Sequence, residues 1–138
     1  MPRNNRACGH QFECDLATIF RTIGFPEAAT TRQMGSKGAD DAGVDLVGTP
    51  GWTVQAKYTK IAPNMHNLLE SMPKEGERFN SGRRIVVHKR ANQGSTVTMT
   101  LEDFVGLATE IRNREEADDM IAREAVERAR LETPGGAD

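Results

Sequence analysis

The chain has 138 residues, of which 37% are hydrophobic and 28% charged, and its formal net charge is −2 at pH 7. This length allows one domain with a hydrophobic core and argues against two. No apolar run approaches the ~20 residues of a membrane span, the N-terminus lacks the apolar core of a signal peptide, and two cysteines do not make a disulfide framework. We therefore expect a globular cytoplasmic protein.

Charge is distributed unevenly along the sequence. Residues 1–100 carry 13 Lys and Arg against 9 Asp and Glu, a net charge of +4, whereas residues 101–138 carry 5 against 11, a net charge of −6. The basic N-terminal part is compatible with a polyanionic partner such as nucleic acid, although the whole chain is slightly acidic.

The first predicted elements are a helix, a weak strand and a loop. Apolar residues recur with helical spacing and are followed by a glycine and a proline, which predicts a helix over residues 9–23. Residues 27–33 are weakly strand-like, and the glycine-rich residues 35–43 are typical of a flexible loop. The predicted buried stripe of the helix consists of Phe12, Leu16, Ile19, Phe20 and Ile23.

Two strand-like segments, residues 44–47 and 52–58, are separated by a Thr-Pro-Gly turn sequence, which predicts a β-hairpin. The remaining predicted elements are a helix over residues 65–72 capped by Asn64, strands over 85–87 and 96–99, and a helix that begins at Leu101. The predicted order is αβββαββα. This is an α/β fold with a central mixed β-sheet of about five strands flanked by helices.

We predict one domain over residues 1–112. Residues 113–132 are helix-prone but mostly charged, which is typical of a peripheral helix. Residues 133–138 are predicted to be disordered, and neither a linker nor an internal repeat divides the chain.

The predicted hairpin brings three polar residues together. Gln55 and Lys57 project from the same face of a strand, and cross-strand pairing brings Asp45 near both. Carboxylate and amide oxygens are ligands that a hard divalent cation prefers, and a neighbouring lysine can orient or deprotonate a water or stabilise negative charge. Asp45, Gln55 and Lys57 therefore form a candidate site for metal-dependent phosphodiester hydrolysis.

These residues resemble the signature of the PD-(D/E)XK nucleases, in which an acidic residue opens a strand and a second acidic residue stands two before a lysine on the next strand. The corresponding segments here are Gly43-Val44-Asp45-Leu46-Val47 and Val54-Gln55-Ala56-Lys57. Within the superfamily the sequence is most similar to archaeal-type Holliday-junction resolvases, over roughly residues 6–60. Three further matches are a glycine and glutamate on helix 1, the helix exit, and an arginine followed by glycine and serine: Gly9-His10-Gln11-Phe12-Glu13, Gly24-Phe25, and Arg32 with Gly35-Ser36.

The resemblance implies a restriction-endonuclease-like core and a role for each matched residue. Glu13, at the border of the buried stripe, would reach the metal site and join the two ligands named above. Ser36 would contact the scissile phosphate or a water at the metal, and Arg32 the DNA backbone. The implied catalytic set is Glu13, Ser36, Asp45, Gln55 and Lys57, and the implied metal ligands are Glu13, Asp45 and Gln55, holding Mg²⁺ with Mn²⁺ as a substitute.

One position departs from the family pattern, because the family usually has Glu where this chain has Gln55. The site then has one negative charge fewer and is expected to bind Mg²⁺ more weakly. Asp40 or Asp41 would be able to supply a compensating carboxylate, although loop acids are more often simply solvated.

The resemblance also implies the activity of a structure-selective endonuclease that cuts four-way DNA junctions in recombination or repair, as a homodimer with two sites. No membrane and no small-molecule cofactor is implied. A compact resolvase of this kind suits a prokaryote or a phage-infected host cell. The predicted DNA-contacting residues are Arg32, Lys37, Lys60, Arg83 and Arg84.

Two alternatives stay open. One is another PD-(D/E)XK repair or restriction-like endonuclease, and the other is a catalytically inactive DNA-binding module of the same fold, which the neutral Gln55 motivates. Metal-dependent nicking of any DNA separates these two alternatives.

Histidine and cysteine residues give weaker signals. Cys8, His10 and Cys14 do not match the spacing of structural zinc motifs without a fourth ligand nearby, and they are better interpreted as residues flanking the start of a helix. His66 is a lone histidine, and His88 ends an apolar strand, where we expect it to meet solvent.

Overall fold

The computed structural model describes residues 5–132. The α/β class predicted from the sequence is confirmed, and the chain divides into two compact units between Thr100 and Leu101. The first unit contains, in chain order, α1 (Asn5–Thr22), β1 (Ala29–Thr30), α2 (Lys37–Asp41), β2 (Leu46–Val47), β3 (Gly51–Tyr58), α3 (Met65–Ser71), β4 (Gly82–Lys89) and β5 (Ser95–Thr98), and the second contains α4 (Leu101–Glu132).

The helix α1 packs one face into the core. Ile19 and Ile23, which were expected in the buried stripe, are 52% and 64% exposed. Ile19 lies at the margin of the stripe, and Ile23 follows the last residue of the helix, so neither reaches the core. The buried residues of α1 are Phe12, Leu16, Ala17 and Phe20.

The larger sheet has three strands in the order β3-β4-β5. The first two are parallel over eight residues each, and β5 is antiparallel to β4. Because alternate residues point to opposite faces, Val54 and Ala56 pack against the core residues of α1, whereas Val86 packs against Leu69 and Met72 on the other face. The sheet is therefore covered on both faces, as a parallel strand pair requires.

The smaller sheet pairs β1 with β2 in antiparallel orientation. Five strands thus occur between residues 5 and 132, but they divide into sheets of three and two instead of one central sheet. The expected hairpin ladder between β2 and β3 is also missing, although the backbone N–H of Asp45 still donates to the carbonyl of Val54 at 2.8 Å. At Gly48, with φ +74 and no room for a Cβ beside Glu27, the chain turns away from a regular hairpin.

Two local predictions met different outcomes. The cap of α3 is confirmed, since Asn64 Oδ1 accepts a hydrogen bond from the backbone N–H of Asn67 at 3.1 Å. Residues 35–43 were expected to form a flexible loop, but they contain the short helix α2. The backbone N–H of Ala42 donates to the carbonyl of Gly38 at 3.1 Å, which closes its last turn.

The second unit is α4, one continuous helix of 32 residues, and none of them is buried. The helix runs without interruption through residue 112, where the sequence indicated a domain boundary. The predicted tail, residues 133–138, lies outside the described residues. Among the helices of residues 5–132, none has the length and apolar character to cross a membrane.

Candidate active site

Asp45 lies directly before β2 and is held against the edge strand β3. Its Oδ2 accepts a hydrogen bond from the backbone N–H of Ala56 at 2.7 Å, and its backbone N–H donates to the carbonyl of Val54. On the other side, the backbone N–H of Thr31 donates to the carbonyl of Asp45 at 2.9 Å. These contacts fix a carboxylate that is only 8% exposed beside the strand that carries Gln55.

Gln55 lies between the two β3 residues that bond to Asp45, and it is 6% exposed. Its Oε1 is buried and has no hydrogen-bond partner. Its Nε2 lies over Gly43, where an added Cβ would be 2.8 Å away, and Gly43 has φ +82, so only glycine suits this position. A buried oxygen without a partner costs about 1–3 kcal/mol. This cost marks Gln55 as a candidate ligand-binding residue.

Glu13 projects from the border of the buried face of α1. Its side chain is 14% exposed, and its Oε2 lies 3.9 Å from Nε of Arg32. Burial, followed by the charge of Asp45, raises the pKa of Glu13 from 4.5 to about 7, and the opposing effect of Arg32 is too small to prevent this. Glu13 and Asp45 therefore lie close enough for their charges to repel.

Three further charges act on this pair of carboxyl groups. Burial raises the pKa of Asp45, and Asp40 adds to this effect, whereas the hydrogen bond from Ala56 and the charges of Lys57 and Arg32 lower the pKa. The same Asp40 also raises the pKa of Glu13, and Lys57 lowers it. Of the two acids at the end of α2, Asp40 is thus the one that affects the pKa values of the site, whereas Asp41 is exposed.

The metal-free protein is expected to lose stability as the pH rises from about 4.5 to about 7. In this range Glu13 keeps its proton in the folded state and releases it in the unfolded chain, so the folded state binds more protons and the free energy of unfolding falls with pH. A shift of this size corresponds to at most about 3 to 4 kcal/mol. Glu13→Gln should flatten the dependence in urea denaturation with a chelator present. The same pH dependence in both proteins would contradict the elevated pKa of Glu13.

The donor set fits a hard divalent cation. Glu13 and Asp45 would contribute carboxylates, and Gln55, which lies between the two β3 residues that bond to Asp45, would contribute the oxygen that has no partner. Within residues 5–132 no three His, Cys, Asp or Glu side chains are grouped so that they could hold an ion. A cation bound here therefore depends on the Gln55 amide in addition to the carboxylates. Its positive charge would offset the repulsion that contributes to the raised pKa of Glu13.

A cavity of about 200 Å³ is lined in part by Arg32 and Asp40, two residues whose charges shift the pKa values of Glu13 and Asp45. It combines two cationic side chains with the hydroxyl of Ser36, which makes no capping hydrogen bond to α2. Cationic donors and a hydroxyl are groups that bind phosphate oxygens. The lining consists of Thr31, Arg32, Gly35, Ser36, Lys37 and Asp40, so three of the residues predicted from the sequence line one cavity.

The other predicted DNA-contacting residues are not among those that line this cavity. Lys60 is exposed just beyond β3. Arg83 and Arg84 lie near the start of β4. They precede His88, which pairs with Lys57, by five and four residues, or roughly 13–16 Å along the strand. In addition, Nη1 of Arg84 donates to the carbonyl of Leu69 at 2.7 Å, which connects it to α3.

His88 was expected to meet solvent, and this prediction is wrong, because the residue is 6% exposed. It lies opposite Lys57 in the parallel pairing of β3 and β4. Its Nε2 lies 2.8 Å from Oγ1 of Thr59, and that hydroxyl donates to the carbonyl of Ile61 at 2.7 Å. Since a hydroxyl has one hydrogen, Nε2 of His88 is the donor to Thr59. The bond holds the chain that follows Lys57, and no pattern in the sequence signalled it.

The residues once considered for zinc form no cluster with other ligands in the described part of the chain. Cys8 and Cys14 are free thiols. His10 has a buried Nε2 without a hydrogen-bond partner and lies one helical turn before Glu13.

No protein-family model, no curated protein and no solved structure matches this chain. Its function therefore has to be inferred from its own residues.

Proposed function

We propose that this protein is a metal-dependent DNA endonuclease. The observation that carries the proposal is the buried Oε1 of Gln55, which lacks a hydrogen-bond partner, on a strand that also holds Asp45 and carries Lys57. Gln55 and Lys57 share one face of β3 because they are two residues apart. Oxygen ligands for a hard cation beside a lysine suit phosphodiester hydrolysis. A purely structural role would not explain Gln55, because an amide oxygen without a hydrogen-bond partner does not stabilise the fold.

The groups of the chain have separate roles in this chemistry. Asp45, Gln55 and Glu13 hold the cation. The chemistry that bound Mg²⁺ or Mn²⁺ supplies is polarisation of a phosphoryl oxygen and a lower pKa of the attacking water. Lys57 orients or deprotonates that water, or stabilises the developing negative charge. The cationic side chains of the 200 Å³ cavity hold the DNA phosphate through charge-assisted hydrogen bonds.

The order of these residues supports membership of the PD-(D/E)XK superfamily. An acid on the first helix is followed by an acid before β2, and then by Gln55 and Lys57 on β3. The helix α1 packs against β3, and β3 is an edge strand, so its free edge is open to Asp45. We assign a restriction-endonuclease-like core on these grounds, with a sheet smaller than the one expected from the sequence.

Within this class we assign a four-way DNA junction as the substrate and a homodimer as the active form. The similarity to archaeal-type resolvases over residues 6–60 favours this assignment. A dimer with twofold symmetry supplies one site for each of two strands of a branched molecule. A branch point has no fixed sequence, so it is read through phosphate positions and shape. Such an enzyme acts in recombination or repair.

Cleavage of defined DNA substrates tests the assignment. The protein should nick a four-way junction in Mg²⁺, cut a flap, a linear duplex and a single strand less, and cut nothing in the presence of a chelator. Salt should weaken binding to every form, because phosphate contacts release counterions. Equal cutting of branched and linear DNA would reject the resolvase assignment, and a preference for flap or duplex would favour another repair or restriction-like endonuclease.

A second candidate is a DNA-binding module of the same fold without catalytic activity. The observation in its favour is the neutral Gln55 at a position where the superfamily usually has an acid. Tight junction binding without cleavage in either Mg²⁺ or Mn²⁺ would favour this candidate and reject the nuclease.

A further inference from the structure

The helix α4 presents large apolar side chains at its surface. None of its residues is buried, and Phe104, Ile111 and Val126 are 55%, 49% and 62% exposed. Helices in proteins gain most of their stability by packing an apolar face, and a helix of mixed sequence is marginal in water by itself. Clustered apolar side chains of this kind commonly mark an interaction surface.

One row of α4 residues, which includes the large apolar residues Phe104 and Ile111, follows the alternating spacing of four and three residues that is typical of a coiled coil. The first four positions of this row, together with Leu107 and Arg112, line one continuous groove. Six of its eight positions are apolar, and the two in the middle are acidic. We call this row the α4 stripe; it consists of Phe104, Ala108, Ile111, Glu115, Asp118, Ala122, Ala125 and Ala129.

The distribution of side-chain size along the α4 stripe selects its partner. The large residues Phe104 and Ile111 lie in the N-terminal half, and every apolar position of the C-terminal half is alanine. Parallel pairing of two copies would place large against large and alanine against alanine, leaving half of the interface poorly filled. Antiparallel pairing places both large residues, Phe104 and Ile111, against alanines, so that neither end of the interface consists of alanine alone. We infer that the α4 stripe is a dimer interface, occupied by α4 of a second copy in antiparallel orientation.

A twofold axis between residues 116 and 117 gives this pairing one consistent register. It places the apolar positions of one half of the stripe against those of the other half, and it brings two valines, and an arginine and an aspartate, together at the flank. The opposed positions of the stripe, one from each subunit, are Phe104 with Ala129, Ala108 with Ala125, and Ile111 with Ala122. At the flank, two residues away from the directly opposed position, Val105 neighbours Val126 and Arg112 neighbours Asp119.

The two acidic layers at the middle of the stripe have compensating charges beside them. Glu115 of one subunit faces Asp118 of the other in this register. Arg112 already lies 4.0 Å from Glu115 and 3.3 Å from Glu116 in its own helix, and Arg114 flanks the same layers. Each subunit therefore places two arginines beside the four acids of residues 115–119, which reduces the repulsion between the acidic layers.

This inference deepens the homodimer of the proposed function by naming its surface, but it does not depend on nuclease activity. The candidate active site lies in the first compact unit, and the whole α4 stripe lies in the second. Substitutions in α4 therefore test the interface without altering a metal ligand.

Sedimentation of the full-length protein tests the interface. The unmodified protein should have twice the mass of one chain, and Ile111→Glu should raise the dimer dissociation constant by at least about 30-fold. Met120→Glu is the matched control, because Met120 is also exposed, at 62%, but projects from the opposite side of α4. The Met120→Glu variant should remain a dimer. Ala122→Glu repeats the test on the partner side of the same layer, and circular dichroism checks that each variant is folded.

Crosslinking tests the orientation. In a background with Cys8→Ser and Cys14→Ser, a chain carrying both Ala108→Cys and Ala125→Cys should form disulfides between positions 108 and 125 of different subunits. Disulfides that join position 108 to 108 would overturn the antiparallel arrangement. A monomeric unmodified protein, or equal effects of Ile111→Glu and Met120→Glu, would overturn the interface. A monomer that still cleaves DNA in Mg²⁺ would reject the interface and the homodimer but not the nuclease, and a dimer that cleaves no DNA would reject the nuclease alone.

Discussion

Asp45→Asn is expected to reduce metal-dependent DNA cleavage by at least about 1000-fold while leaving the fold intact. The amide oxygen of asparagine can still accept the hydrogen bond that Oδ2 of Asp45 accepts from the backbone N–H of Ala56. The geometry beside β3 is therefore kept, and the negative charge that holds a cation is lost. Initial rates of junction cleavage over a range of Mg²⁺ concentrations measure the loss, and thermal unfolding checks the fold.

The matched control for this substitution is Asp41→Asn. Asp41 is exposed at the end of α2 and is not among the charges that shift the pKa of Asp45. The control should cleave at close to the rate of the unmodified protein. Near-normal turnover of Asp45→Asn would show that the candidate site is wrong. An equally inactive Asp41→Asn would indicate that the loop acids carry the metal instead.

Gln55→Glu and Gln55→Met should change the affinity for Mg²⁺ in opposite directions. The glutamate adds a carboxylate to the ligand set, so the Mg²⁺ concentration at half-maximal cleavage should fall by about tenfold. Because this charge is buried, the metal-free variant should be less stable, and added Mg²⁺ should raise its Tm by a larger amount. Methionine has a similar length but lacks the oxygen without a partner, so it should stabilise the metal-free protein and weaken Mg²⁺ binding.

Calorimetric titration with Mg²⁺ and thermal unfolding in the presence of a chelator measure both effects in the same samples. If both variants bind Mg²⁺ as the unmodified protein does, Gln55 is not a ligand, and a group such as a bound water satisfies its buried oxygen. A lower affinity in Gln55→Glu would indicate that the site requires a neutral amide.

The sequence by itself determined the local structure that depends on neighbouring residues. Helical spacing predicted α1 through Phe12, Leu16 and Phe20, and Asn64 marked the start of α3 as its cap. The common face of Gln55 and Lys57 also follows from the sequence alone, since alternation is a property of any strand. The spacing of four and three residues in α4 is equally a property of the sequence.

Only the tertiary structure decided how these elements combine. The register places Gly51 opposite Gly82 in a parallel pair, although the sequence predicted a hairpin partner much closer in the chain. Strand pairing depends on contacts between distant segments, which local patterns do not encode. Contacts between distant segments also explain three features of the site: the effect of Asp40 on the pKa of Asp45, the burial of His88, and the missing hydrogen-bond partner of Oε1 in Gln55. Burial and electrostatic interaction are sums over all neighbours in space, and these neighbours come from helices and strands far apart in the sequence.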